Sequence, residues 1–122
     1  MFSTSAEKKE RALGLGAVDF IDSTDLDAVK AAKLRFHFIL STIPESHDIN
    51  PYIPCLRYDG TITVVGNLGP FSKPTINMEV ANYRRSVAGS LIGGIKETQK
   101  MLDCCGQLDI TTDVKIIDNQ GR

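Results

Sequence analysis

Phe2–Ala17 reads FSTSAEKKERALGLGA, and the fold follows from how that stretch divides. Phe2 closes a strand, Ser3, Thr4 and Ser5 form a hydroxyl cluster, and a basic amphipathic helix runs to the glycines. Gly14 and Gly16 bracket Leu15 and supply the permissive backbone a helix needs to stop and turn back. A strand at Val18–Ile21 follows at once. Strand, helix, strand is the grammar of parallel α/β sheets, in which ligands collect at the carboxyl ends of strands. Ser3, Thr4 and Ser5 occupy such an end.

Two readings of that cluster stand side by side. Thr4 with Glu7 has the spacing of a capping box, which would commit the hydroxyls to the helix itself. Alternatively, hydroxyl donors with the cation of Lys8 or Lys9 suit a phosphate dianion, and no carboxylate ends this strand to accept a ribose 2′-OH.

Downstream, Ser23-Thr24-Asp25 predicts caps for a helix carrying Leu26, Val29 and Ala32. Phe36–Leu40 is apolar except for His37, the pattern of a central strand covered by helices on both faces. Ser41–Asp48 is turn chemistry, with Ser46 or Asp48 able to cap a helix around Pro51–Leu56. Asp59-Gly60 reads as a turn into a β-branched strand, Thr61–Val65, stopped by Gly66. After the loop Asn67–Pro74, Ile76–Tyr83 is a short segment of helical character and Ser86–Ser90 a strand. Gly93-Gly94 precedes the clearest helix, Ile95–Cys105, with Ile95, Thr98, Met101, Leu102 and Cys105 on one face. A last strand is expected at Val114–Ile117. The sum is α/β: a partial Rossmann-like, doubly wound parallel sheet that lacks the first strand and GxGxxG turn of a complete dinucleotide fold. The expected division is one domain over 1–118 and an unstructured tail over 119–122.

Composition removes several function classes. The 14 basic residues nearly cancel the 15 acidic ones, so nothing in the charge balance draws nucleic acid or an anionic membrane. No apolar run approaches the roughly 18 residues of a membrane span. Cys55, Cys104 and Cys105 are odd in number and lack ligand spacing, so they read as reduced thiols of a cytoplasmic protein with no metal site. His37 reads as a satisfied core or interface histidine, since no nucleophile is in register with it. His47 reads as a surface loop residue and Arg84-Arg85 as solvated charge.

Several ordered phrases together resemble the cofactor-binding half of medium-chain, zinc-dependent alcohol dehydrogenases of the cinnamyl alcohol dehydrogenase type. They are FSTS followed by KK, LGA at Leu15–Ala17, FILSTIP at Phe38–Pro44, VVGNLG ending at Gly69, VAGSLIGG at Val87–Gly94 and KETQKMLD at Lys96–Asp103. The resemblance implies an NADP-dependent alcohol and aldehyde oxidoreductase. It implies that Ser3, Thr4, Ser5 and Lys8 hold the 2′-phosphate, that Thr42 lies beside the cofactor, and that Gly66, Ser90, Leu91 and Ile92 line the dinucleotide site.

The family's zinc ligands and GxGxxG match nothing here, so the expectation is a fragment without catalytic residues. Zinc is expected only in a catalytic domain that this sequence lacks. His37 stands where the family commonly has aspartate, and Asp109 where it usually has glycine. With its first strand missing, the fold should expose strand edges and associate into homo-oligomers. The competing expectation is a non-catalytic relic or interaction domain that self-associates.

Overall fold

In the computed structural model, residues 1–67 and 69–112 are described. Met1–Leu91 make one compact body, and the residues from Ile92 onward belong to a second. The elements of the first body are β1 (Phe2–Ser3), α1 (Lys8–Gly14), β2 (Ile21–Asp22), α2 (Leu26–Ala31), β3 (Phe36–Ser41), a 3-10 turn (Ile53–Cys55), β4 (Leu56–Val64), α3 (Asn77–Ala81) and β5 (Ser86–Gly89). The second body carries α4 (Ile95–Gln107). The expected strand Val114–Ile117 and the tail 119–122 lie outside the described residues.

All strand pairing is parallel, which is the α/β class read from the sequence. The strands form two sheets, β1–β2 and β3–β4–β5, and among the described residues none pairs β1 with β3. The break falls where the doubly wound order calls for its first strand. A ring bridge spans it: Phe2 meets Phe36 edge to face at 5.5 Å and Tyr52 at 5.3 Å. Side chains thus touch across a separation too wide for a backbone ladder. One buried cluster, Ile21, Val29, Ala32 and Cys55, packs against Phe2, Phe36, Ile39 and Tyr52, and Ile39 and Tyr52 also pack against a second cluster of Ile49, Ile53, Leu56 and Ile62.

The sequence expectation for β3 is corrected here. It is an edge strand of the three-stranded sheet, and Phe38 and Leu40 are 56% and 53% exposed. Ile39 and Ser41 are the more buried positions while Phe38 and Leu40, on the alternate face, are exposed, so an apolar run that anticipates two covered faces has one. His37 is exposed rather than buried in a core.

Other boundaries moved for local reasons. Glu7 occupies the N-cap of α1 with helical dihedrals and makes no side-chain cap, so the Thr4–Glu7 capping box does not form. The chain is already coiling through Lys8 N–H to Ser5 C=O and Lys9 N–H to Ala6 C=O. β2 begins at Ile21, and Val18 is 98% exposed. Asp25 caps α2 as expected, accepting from the amides of Asp27 and Ala28. The Pro51–Leu56 helix is only the 3-10 turn, and Asp48 accepts from Asn50 N–H instead of capping it. Asp59-Gly60 does not precede β4 but lies within it: Asp59 has φ 58°, and the register jumps from Phe36↔Leu56 to Phe38↔Thr61. The turn signal is absorbed as a bulge. α4 has no buried residue, and its Ile95, Met101 and Leu102 are exposed.

Arg84-Arg85 is solvated charge only in its first half. Arg84 is exposed and pairs with Asp59 through two 2.8 Å bonds. Arg85 is buried. Its Nε and Nη2 donate to Leu56 C=O (3.0 and 2.7 Å), Nη2 also reaches Pro54 C=O (3.2 Å), and Nη1 reaches Glu79 C=O (2.9 Å) and its carboxylate (3.2 Å). The guanidinium also stacks 4.2 Å over the Tyr83 ring. It holds the start of β4 to α3.

Candidate functional site

Three strands end together. Ser41 of β3 registers with Val64 of β4, and Val64 with Gly89 of β5. The ladder continues one step beyond, with Val65 N–H donating to Ser41 C=O (2.9 Å) and Ser90 N–H to Val64 C=O (3.1 Å). Thr42, Gly66 and Ser90, all singled out from the sequence, are therefore brought to one rim of the sheet.

Gly66 explains its own identity. A Cβ there would lie 2.5 Å from the carbonyl carbon and oxygen of Thr42 and 2.6 Å from the Ile43 oxygen. The two main chains are in contact, so the glycine is required by a close approach rather than only as a strand stop. A shallow cleft of about 280 Å³ opens beside this contact, lined by Val64, Asn67, Gly89, Ser90 and Leu91. Asn67 escaped sequence reasoning because it sat in a Gly- and Pro-rich loop; its Oδ1 accepts from Gly69 N–H at 2.8 Å. A larger groove of about 410 Å³ along α2, between Leu26 and Pro54, lies away from these strand ends. Ile92 belongs to the second body, where it is 85% exposed.

The hydroxyl cluster stands at the carboxyl end of β1. Ser3 Oγ accepts from Ser5 N–H at 3.2 Å, and Ser3 C=O accepts from Ser23 N–H at 3.0 Å. With the capping box unmade, the Thr4 and Ser5 hydroxyls and the exposed Lys8 ammonium take no partner among the described residues. One neighbour was missed. Ser3 registers with Asp22, so a carboxylate ends the adjacent strand. That carboxylate is engaged: its Oδ1 accepts from the Thr24 hydroxyl (2.6 Å) and amide (2.8 Å), which hold it below the ordinary carboxylate range.

His47 lies in a loop as expected, but sequence reasoning missed its partners. It is half-buried, with Nε2 3.1 Å from the buried Ser41 hydroxyl and Nδ1 2.8 Å from Glu45 C=O. No composition or spacing signal marks this pair, because it is made by the path of the turn between them. Cys55 is buried, its thiol pushed up by desolvation and bonded to Val29 C=O at 3.4 Å. Among the described residues no three His, Cys, Asp or Glu side chains converge as a metal site would require. No described helix is long and apolar enough to cross a membrane.

The profile of a family described as zinc-binding dehydrogenases matches residues 1–122. Aldehyde reductase YahK of Escherichia coli is 39% identical over 117 residues, covering 95% of this chain and 33% of its own. A cinnamyl alcohol dehydrogenase structure from Sorghum bicolor, SbCAD4, superposes with a TM-score of 0.87 at 32% identity, over 95% of this chain and 33% of that one. A Helicobacter pylori cinnamyl alcohol dehydrogenase, solved with NADP(H), gives a TM-score of 0.70 at 34% identity, over 89% and 30% of the two chains. The chain thus spans about a third of the length of these relatives.

Proposed function

Because the chain belongs to the zinc-binding dehydrogenase family, we propose that it is the cofactor-binding part of an NADP-dependent alcohol and aldehyde oxidoreductase, not catalytic on its own. The observation that carries this reading is the meeting of strand ends. Thr42 and Gly66 in main-chain contact and Ser90 at the next strand form one rim beside an open cleft, the place where open α/β sheets hold dinucleotides. The relative solved with NADP(H) supports the choice of cofactor.

In this proposal Ser3, Thr4, Ser5 and Lys8 take the 2′-phosphate. The unengaged Thr4 and Ser5 hydroxyls and the Lys8 cation suit a dianion, while Asp22 is committed to Thr24. Thr42, Gly66, Ser90 and Leu91 line the rest of the dinucleotide. When bound, the cofactor supplies the hydride; this chain's part is to bind and orient it. Among the described residues the donors do not fit zinc, so the family's metal would be held by a catalytic domain other than these residues. The three thiols, none in a disulfide, and the near-neutral charge favour a cytoplasmic protein without a nucleic-acid partner. Residues 1–118 would form the cofactor-binding domain and 119–122 a tail.

The test is a fluorescence titration of the chain with NADPH and NADH. NADPH should bind more tightly, and Lys8→Glu should weaken it by roughly tenfold or more, since a charge-assisted bond is worth about 1.5–3 kcal/mol. Equal affinity for both cofactors would refute the 2′-phosphate assignment.

A second reading, self-association, is favoured by the open edges of β1 and β3 and the exposed Phe38 and Leu40. Light scattering coupled to size exclusion should find dimers or larger species. A monomer across a wide concentration range would end that reading.

A further inference from the structure

Ser41 ends β3 with its side chain buried, and its hydroxyl lies against His47 Nε2 at 3.1 Å. The other nitrogen of the same ring is 2.8 Å from Glu45 C=O. A carbonyl only accepts, so Nδ1 carries a proton and donates, and Nε2 on the far side of the ring shares the second hydrogen bond with the Ser41 hydroxyl. The His47 main-chain carbonyl accepts from Ser72 N–H at 3.2 Å, and its ring meets Phe71 edge to face at 6.4 Å. One residue therefore grips the end of β3 with its ring and the loop after β4 with ring and main chain.

Around it the two loops are sewn together. Ser46 Oγ donates to Pro70 C=O (2.8 Å), Lys73 pairs with Asp48 (3.2 Å), and Asn50 both donates to Pro74 C=O (2.9 Å) and accepts from Ile76 N–H (2.8 Å). The turn enclosed by the Ser41–His47 bond contains Thr42 and Ile43, whose backbone presses on Gly66. Asn67, on the cleft wall, follows directly.

We infer that His47 is a positioning residue for the dinucleotide cleft: its ring, bonded to Ser41 and Glu45, fixes the turn that places Thr42 against Gly66 and sets the rim beside Asn67. The inference rests on the NADP reading for its ligand and on the hydrogen bonds for its geometry. His47 touches none of the reacting groups. It acts through the turn, where residues off the ligand commonly modulate affinity by severalfold to tens of fold.

The experiment uses the full 122-residue chain as wild type, His47→Ala and His47→Gln, whose amide oxygen reaches the Nε2 position. Each is titrated with NADPH and with adenosine 2′,5′-bisphosphate, which lacks the nicotinamide half. His47→Ala should weaken NADPH by roughly threefold to thirtyfold and leave the bisphosphate unchanged, because that probe engages only the β1 end. His47→Gln should recover most of the loss. Equal weakening of both probes, or none for NADPH, would overturn the inference.

Amide hydrogen exchange supplies a readout that needs no ligand. In His47→Ala the amides of Val65 and Ser72 should exchange faster, with Ser23 unchanged and His47→Gln restoring protection. Unchanged protection at Val65 and Ser72 would overturn the positioning role even where wild type binds neither probe, a result that would refute the NADP reading instead.

Discussion

Gly66→Ala is the sharpest test of the rim. The new Cβ would sit 2.5 Å from the Thr42 carbonyl atoms and 2.6 Å from the Ile43 oxygen, where unstrained contacts lie near ~3.5 Å. Main chains must part by about 1 Å, and neither can yield cheaply. Thr42 follows a strand end pinned by Val65 N–H to Ser41 C=O, and by the Ser41–His47 bond. Overpacking of this kind costs about 1–3 kcal/mol, and a clash with backbone rather than a movable side chain puts it near ~3. Unfolding entropy is about 2.1 cal/mol/K per residue, or ~0.26 kcal/mol/K over this chain, so Tm should fall by about 12 °C. The assay is urea and thermal unfolding followed by far-UV circular dichroism, since the chain has no tryptophan. Gly14→Ala is the control: a Cβ there meets nothing within 4 Å inside α1, so it should stabilise by about 0.5–1 kcal/mol. A Gly66→Ala loss below about 1 kcal/mol, or a change equal to that of Gly14→Ala, would refute the contact.

Removing the buried guanidinium in Arg85→Met strips five hydrogen bonds from the carbonyls of Leu56, Pro54 and Glu79 and from the Glu79 carboxylate; a loss of about 3–5 kcal/mol in urea is expected. Arg85→Lys should recover only part of it, because an ammonium cannot fork across several carbonyls. Below about pH 4 stability should fall. Arg35 lowers Asp19, Thr24 lowers Asp22 and Arg84 lowers Asp59 from their ordinary values. Groups depressed in the folded state contribute stability above the unfolded pKa and lose it as pH drops through the folded one. Urea midpoints from pH 7 to 2 check this, and Asp59→Asn should flatten the acid limb; a variant with an unchanged limb would remove Asp59 from the account.

Local chemistry was legible where one residue decides one conformation. Asp25 caps α2, the β-branched run of β4 is a strand, and Asp59-Gly60 is a left-handed bend, although it falls inside a strand. Gly66 was marked as the stop of its strand, and the resemblance set it and Thr42 beside the cofactor; the main-chain contact between them is what the structure adds. Arg84 and Arg85 are the same residue side by side, and nothing local says that one is solvated while the other is sealed under Tyr83. The Ser41–His47 bond is equally silent, since a turn's path sets which of its hydroxyls meets which ring.

By itself the amino-acid sequence determined the order of elements, the parallel class and the residues at strand ends, because periodicity, caps and glycines act through neighbours within a turn or two of chain. Only the tertiary structure decided that Phe2, Phe36 and Tyr52 bridge the break between β1 and β3, that Phe38 and Leu40 lie on an open face, and that His47 joins two loops. Those outcomes depend on which strand edge and which face finds a partner. Hydrogen-bond ladders and apolar burial settle that between residues far apart in the chain, so no local pattern could carry it.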